Sequence, residues 1–331
     1  MSFELILPFL RPIEPLLLDD SISEIMGNPD SSWWYERDGI MRREETVCFD
    51  AGRLRTGLEV IANQLGKHLD EDNPVLHAQL PDGSRLAAVI PPVVRPSPAL
   101  VIRKFPSRHY TVDDLIARGT LTQPLADLLA EQMRNGKTVL ISGGTSTGKT
   151  TVLRVLANAI PEDQRIVVIE DTSELHIKKP NMLAVECQTD TFKANVSFDD
   201  LLKSALRWRP DRIILGEVRG MEARTLLDSL NTGHAGSLAT IHANSAEKAL
   251  HRFANLVMRN HAQTTFSDTE AEIAEAVDFV VHVERQSGRR AIREVLALSG
   301  YDRDAKRFQI ESVFEIRNVL LSNATTEVAA C

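Results

Sequence analysis

Cysteine is almost absent from this 331-residue chain: it has only Cys48, Cys187 and Cys331. They are far apart, odd in number and form no C-x-x-C pair, which argues against a disulfide framework and a tetracysteine zinc site. Aromatic residues are scarce at 5%, and no stretch interleaves them with basic residues as a single-strand stacking platform would. Positive charge is short as well. The net charge is −8, the opposite of the basic field that neutralises nucleic-acid phosphates. Arg42-Arg43 and Lys178-Lys179 therefore read as solvated surface, and no sequence-specific nucleic-acid binding is expected. No run approaches the roughly 18 consecutive apolar residues of a spanning helix. The opening Met-Ser-Phe-Glu-Leu-Ile-Leu-Pro carries an acid and no basic residue, unlike a secretory signal. The expectation is a cytoplasmic protein whose membrane contact is at most peripheral.

What is present is ordinary for a globular chain with a sizeable core: 43% apolar and 25% charged residues. The length suits two domains or one large α/β domain. Residues 1–105 mix short strand-like and helical pieces with frequent turns and read as a small α+β domain. Leu54, Leu58, Ile61 and Leu65 recur at helical spacing and predict a helix over Gly52–Leu69. Pro81-Asp82-Gly83 signals a turn, and strand-like runs follow at Leu86–Ile90 and Leu100–Lys104, with the Pro-rich segment Pro91–Pro98 as an exposed loop between them. The stretch Phe105–Tyr110 is the candidate linker, placing the boundary at residues 106–111.

From Val112 onward the pattern alternates. Leu125, Leu128, Leu129 and Met133 form one helical stripe that opens at Pro124 and ends at Asn135-Gly136. Short buried-strand runs follow at Thr138–Ser142, Ile166–Ile169, Arg212–Leu215, Ser237–Ile241 and Phe279–Val283. Such alternation implies crossover connections and a mainly parallel sheet, with ligand sites outside the carboxyl ends of the strands. Residues 112–331 thus read as an α/β domain.

Gly143-Gly144-Thr145-Ser146-Thr147-Gly148-Lys149-Thr150 matches G-x-x-x-x-G-K-[ST] in full. A strand-like run precedes it and a helix with Leu153, Leu156 and Ala157 facing inward follows, the order the phosphate-binding mechanism requires. Glycines let backbone N–H groups turn toward phosphate oxygens, and the helix N-terminus adds partial positive charge. Lys149 would place a charge on the β- and γ-phosphates of ATP, and the Thr150 hydroxyl would ligate Mg²⁺. The competing reading, a glycine-rich turn with a surface lysine, leaves the flanking strand and helix unexplained.

A phosphate cradle needs acids on neighbouring strands to hold Mg²⁺ and orient a water. Two groups sit at strand ends: Glu170-Asp171-Thr172-Ser173-Glu174 after Ile166–Ile169, and Glu217 after Ile213-Ile214-Leu215-Gly216. The first could equally be a polar turn. Glu217 ends an apolar strand beside the cradle and has an electrostatic partner in Mg²⁺. His234 and His242 flank the Ser237–Ile241 run without the spacing of a helical zinc pair, which leaves structural and catalytic roles both open. His68, His77, His109, His176, His251, His261 and His282 have no such setting.

Four ordered segments resemble the secretion ATPases of type II and type IV secretion and type IV pili. They are Gly143–Thr151, the acidic box Glu170–Glu174, the run from Arg207 to Gly220 with glycine in place of the usual Walker B aspartate, and Thr232-Gly233-His234 through His242-Ala243-Asn244-Ser245. The run of Gly216 to Gly220 with Glu222-Ala223, together with the segment from Ala239 to Leu250, is similar to the conjugal-transfer branch of type IV secretion. The four-cysteine insertion of the type II branch is missing. The resemblance implies a RecA-like P-loop ATPase domain behind a smaller N-terminal α+β domain, a homohexameric ring with ATP bound between the two domains, and a peripheral position at the inner face of the cytoplasmic membrane. Partners would be inner-membrane secretion or conjugation proteins.

By the same resemblance the nucleotide is held by Gly143, Gly144, Thr145, Ser146, Thr147, Gly148, Lys149, Thr150 and Thr151. Glu174 would polarise water, Glu217 would act on Mg²⁺ with Thr150, and His234 and His242 would sense the γ-phosphate. Arg85 and Arg103 resemble N-terminal-domain arginines that reach the nucleotide, though surface ion-pairing arginines look the same in sequence. This branch usually has glycine where Ser146 stands, so a positive φ there would strain the loop. The expected activity is ATP hydrolysis that powers substrate transfer or pilus assembly. A nucleotide-gated scaffold of the same machinery and a RecA-like nucleic-acid motor are the alternatives.

Overall fold

The computed structural model describes residues 4, 6–105, 110–188, 195–259, 264–286 and 288–316. Residues 106–109 of the expected linker lie outside the described residues, as do His109, His261 and Cys331. The chain forms two compact units, Met1–His109 and Tyr110–Cys331. Among the described residues no helix is long and apolar enough to cross a membrane.

The first unit begins with two 3-10 turns and α1 (Glu14–Leu18). The hairpin strands β1 (Ile22–Gly27), β2 (Trp33–Arg37) and β3 (Ile40–Glu44) come next, followed by α2 (Ala51–Gln64), then β4 (Val75–Gln79), β5 (Arg85–Val89) and β6 (Ala99–Arg103). The strands make one antiparallel sheet in the order β3-β2-β1-β6-β5-β4. Helical spacing puts Leu54, Leu58 and Ile61 on one face of α2, where they join Ile25, Trp33, Leu86 and Ile102 in a single buried cluster. Asp50 caps the helix by accepting from the Arg53 N–H at 2.9 Å. The helix stops at Gln64, short of the expected Leu69. Gly66 takes a left-handed φ of 71° and turns the chain out of the helix, which the apolar spacing alone does not reveal.

The second unit opens with α3 (Val112–Ala117) and α4 (Gln123–Arg134). It then runs β7 (Val139–Gly143), α5 (Lys149–Ala157), β8 (Ile166–Glu170), β9 (Met182–Glu186), α6 (Phe198–Ala205), β10 (Arg212–Val218), α7 (Glu222–Asn231) and β11 (Leu238–His242). The helices α8 (Ala246–Met258) and α9 (Phe266–Ala276) precede β12 (Phe279–Gln286), β13 (Arg289–Asp302) and β14 (Arg307–Glu315). The eight strands form one sheet in the order β14-β13-β12-β7-β11-β10-β8-β9. The six strands from β12 to β9 pair in parallel, and β13 and β14 extend the sheet antiparallel.

Alternate strand residues face opposite layers. Leu140, Val167, Ile169, Ile213, Leu215 and Ile241 pack under α6–α9, while Val139, Ile141, Ile166, Val168 and Ile214 pack against α4 and α5. With helices on both faces, the central parallel strands β7, β8 and β11 are buried along almost their whole length. This is the α/β, RecA-like arrangement, and it gathers the carboxyl ends of β7, β8, β10 and β11 along one edge. The smaller antiparallel unit before it supplies the α+β part.

Candidate active site

The phosphate-binding loop leaves β7 at Gly143 and enters α5 at Lys149. Only glycine fits at 143: a Cβ there would lie 2.3 Å from the Val283 carbonyl and 2.7 Å from Thr147 Oγ1. Gly148 caps α5 with a φ of 95°. Lys149 is 8% exposed, and its Nζ donates to the carbonyls of Gly144 at 2.7 Å and Gly143 at 3.2 Å. Thr147 Oγ1 closes the turn onto the Gly144 carbonyl at 3.0 Å. Ser146 has a φ of 57°, the left-handed region that costs an L-residue about 1–2 kcal/mol. Its carbonyl accepts from Arg290 Nε at 3.0 Å, a β13 residue that no motif marks.

Beside the loop, β11 runs in register with β7 and pairs His242 with Gly143. His242 Nε2 lies 3.1 Å from Glu217 Oε1. Burial, then the Lys149 charge, depress the His242 pKa against the opposing pull of Glu217. The other Glu217 oxygen receives Arg219 Nη2 at 2.7 Å, and Arg219 Nη1 reaches Asp171 Oδ2 at 3.2 Å. Arg219 thus ties the end of β10 to the acidic turn after β8. The Arg219 backbone is fixed in turn by Glu222, a 5% exposed carboxylate that accepts from the N–H groups of Arg219 at 2.5 Å and Gly220 at 2.8 Å.

Glu170 closes β8 and is 5% exposed. Its Oε1 accepts from the backbone N–H groups of Glu174 and Leu175, both at 2.9 Å. The Glu174 turn therefore hangs on a buried carboxylate. Burial pushes the Glu170 pKa up to about 7, against those two donors and with the charges of Glu174 and Glu186 adding to the rise. A raised carboxyl pKa means the folded state holds the proton more tightly than the unfolded chain. The associated stability is full below the ordinary 4.5 and is lost as pH rises through about 7. Stability between pH 5 and 7 should fall more steeply in the wild type than in Glu170→Gln, as followed by urea midpoints across that range. The glutamine side chain keeps an acceptor for the turn, whereas Glu170→Ala should release it and lower ATP turnover about tenfold or more.

The other sequence candidates divide. Thr150 sits in the first turn of α5, after Lys149. His234 does not join the cradle. It precedes the amino end of β11, His242 occupies the carboxyl end, and the strand alone spans roughly 13 Å at 3.3 Å per residue. The His234 Nδ1 lies 3.2 Å from the Ser229 carbonyl, and its own carbonyl accepts from Ser237 Oγ at 2.7 Å. Arg85 and Arg103 are cross-strand partners on β5 and β6 of the first unit, and Arg103 lies in register with Glu24 of β1. His282 is a core group beneath the loop: its Nδ1 is 2.9 Å from Ser142 Oγ, and burial depresses its pKa.

A lysine-bearing loop at the carboxyl edge of a parallel sheet, with acids at the ends of two nearby strands, defines a P-loop ATPase fold. Residues 10–313 match the type II/IV secretion system protein family. The chain is 36% identical over 294 residues to the conjugal transfer protein TrbB of Rhizobium radiobacter, covering 86% of each chain. It is 32% identical over 314 residues to the type IV secretion system protein PtlH of Bordetella pertussis, covering 87% of this chain and 92% of that one. Among solved structures it is similar in fold to the Legionella pneumophila ATPase DotB, with a TM-score of 0.62 at 18% identity over 90% of this chain and 82% of that one. The chain belongs to the family of type II/IV secretion system proteins.

Proposed function

We propose that the chain hydrolyses Mg-ATP as one subunit of a homohexameric ring, held peripherally at the inner face of the cytoplasmic membrane. The ring powers substrate transfer or pilus assembly in a type IV secretion or conjugal-transfer apparatus, in contact with that apparatus's inner-membrane proteins. The observation that carries this reading is the convergence of Lys149, His242, Glu217, Arg219 and Asp171 at one end of the sheet, beside the complete phosphate loop. Membership of a secretion family, with conjugal-transfer and type IV secretion relatives, supports the transport role.

Among the described residues no three His, Cys, Asp or Glu side chains form a metal cage. Mg²⁺ at nucleotide sites takes only one or two protein ligands beside phosphate and water, so a donor set of Thr150 and Glu217 fits. When bound, the ion neutralises developing charge on the β- and γ-phosphates. The chain's own residues do the rest. Gly143–Thr151 wraps the phosphates with backbone N–H groups, and Lys149 exchanges its two carbonyl partners for phosphate oxygens. Glu174 orients and polarises the attacking water. His242, beside Glu217, reports on the γ-phosphate position. Arg85 and Arg103 add positive charge to the transferring phosphoryl group.

Phosphate release from ATP by the purified chain tests this. Release should require Mg²⁺ and stop on chelation. Arg85→Ala and Arg103→Ala should each lower turnover well beyond any change in melting; Arg103 is exposed, and exposed arginine pairs contribute under about 1 kcal/mol to folding. ATP binding without release would leave a nucleotide-gated scaffold. Turnover that needs DNA and collapses with salt would mark a nucleic-acid motor.

A further inference from the structure

A left-handed serine in a phosphate loop requires something to hold it there, because the residue is disfavoured where glycine would be indifferent. Arg290 is the side chain placed to do so. Its Nε donates to the Ser146 carbonyl at 3.0 Å, and its Cδ would lie 3.4 Å from a Cβ built on Gly148. One arginine therefore bonds the loop before Thr147 and lies close to it after.

The donor stands on a firm base. On β13, Arg290 pairs with Arg285 of β12 and Ile292 pairs with Val283. Val283 pairs in turn with Gly143 at the root of the loop. Arginine and loop are thus connected through adjacent strands of a single sheet.

The consequence follows from peptide geometry. A trans peptide points its C=O and its N–H to opposite sides. With the Ser146 carbonyl held on Arg290, the Thr147 N–H of the same peptide points away from Arg290, and phosphate loops bind anion oxygens through such N–H groups. We propose that Arg290 is a positioning residue of the nucleotide site: it offsets the strain at Ser146 and presents the Thr147 N–H to nucleotide phosphate. This rests on the nucleotide-binding reading of residues 143–150.

The test is a double-mutant cycle. Equilibrium binding of a fluorescent ADP, phosphate release and melting are measured for the wild type, Arg290→Ala, Ser146→Gly and the double variant. Arg290→Ala should weaken ADP about tenfold and raise KM in step, with kcat changed less than about twofold. Ser146→Gly alone should bind at least as well as the wild type. In the Ser146→Gly background, removing Arg290 should cost less than about threefold, because glycine adopts the same φ unaided. Arg290→Lys should recover part of the affinity, since an ammonium can donate to the same carbonyl. An Arg290→Ala loss of equal size in both backgrounds, or no loss in either, would overturn the proposal. If the alanine variant does not fold, Arg290→Lys in the two backgrounds makes the same comparison. A wild type that binds no ADP removes the nucleotide reading itself, a separate outcome.

Discussion

Lys149→Ala should lower ATP turnover by about 10²–10³-fold or more while the chain still melts cooperatively near the wild-type temperature. The two halves of that expectation have different causes. Turnover falls because the buried ammonium is a preorganised charge, and removing one such donor from a charge-developing centre costs that much. Stability holds because Lys149 is a buried cation whose partners include two carbonyls of its own loop. The substitution deletes both the desolvation cost of the ammonium and the bonds that offset it. The loop's glycine geometry at residue 143 and the strand–helix frame around it do not depend on the lysine ammonium. Phosphate release and a thermal melt on the same preparation decide the matter. Turnover near the wild-type level in the variant would remove residues 143–150 from the active site.

The phosphate loop was legible in the sequence because nearly everything it needs is local. Glycine and lysine stand at fixed offsets, an apolar run precedes them and a helical stripe follows. The parallel strands were legible for a similar reason: buried on both faces, they read as unbroken apolar runs. The half-exposed edge strand β9 and the antiparallel pair β13 and β14 lack that signature, and neither was anticipated. Arg290 was lost with them, since Arg289-Arg290 reads as surface charge until the sheet folds β13 against the loop.

His234 and His242 were legible as residues flanking the Ser237–Ile241 run, and that strand sets them at opposite ends of the sheet. Glu222 and Arg219 were visible only as parts of a family-like run. Their connection to Glu217 depends on a turn whose shape the residues do not declare. The strain at Ser146 was foreseeable as a condition, a positive φ, and the structure meets that condition at 57°.

Glu217→Gln and Glu174→Gln should both stop hydrolysis, and they should do so differently. Glu217 has two neighbours: one oxygen lies 3.1 Å from His242 Nε2, and the other accepts from Arg219 Nη2 at 2.7 Å. An amide is uncharged, with one acceptor and one donor end, so the side chain introduced by Glu217→Gln must either turn its NH₂ on the guanidinium or meet it with a neutral oxygen. That conflict loosens Arg219 from Asp171 as well, and it removes the charge that makes Glu217 a partner for Mg²⁺. Turnover should fall about 100-fold or more, with a higher Mg²⁺ requirement for what remains. At Glu174 it is the backbone N–H that is committed to Glu170, a bond that a glutamine side chain leaves intact. Glu174→Gln should therefore keep the turn, the nucleotide affinity and the Mg²⁺ dependence, and lose the polarisation of water, a step that general-base contributions place at about 10²–10⁴-fold. Titrating ADP and Mg²⁺ against each variant separates the two patterns. Normal hydrolysis by Glu174→Gln would pass water activation to Glu170, whose carboxyl, with a pKa raised to about 7, lies in the working range of a general base.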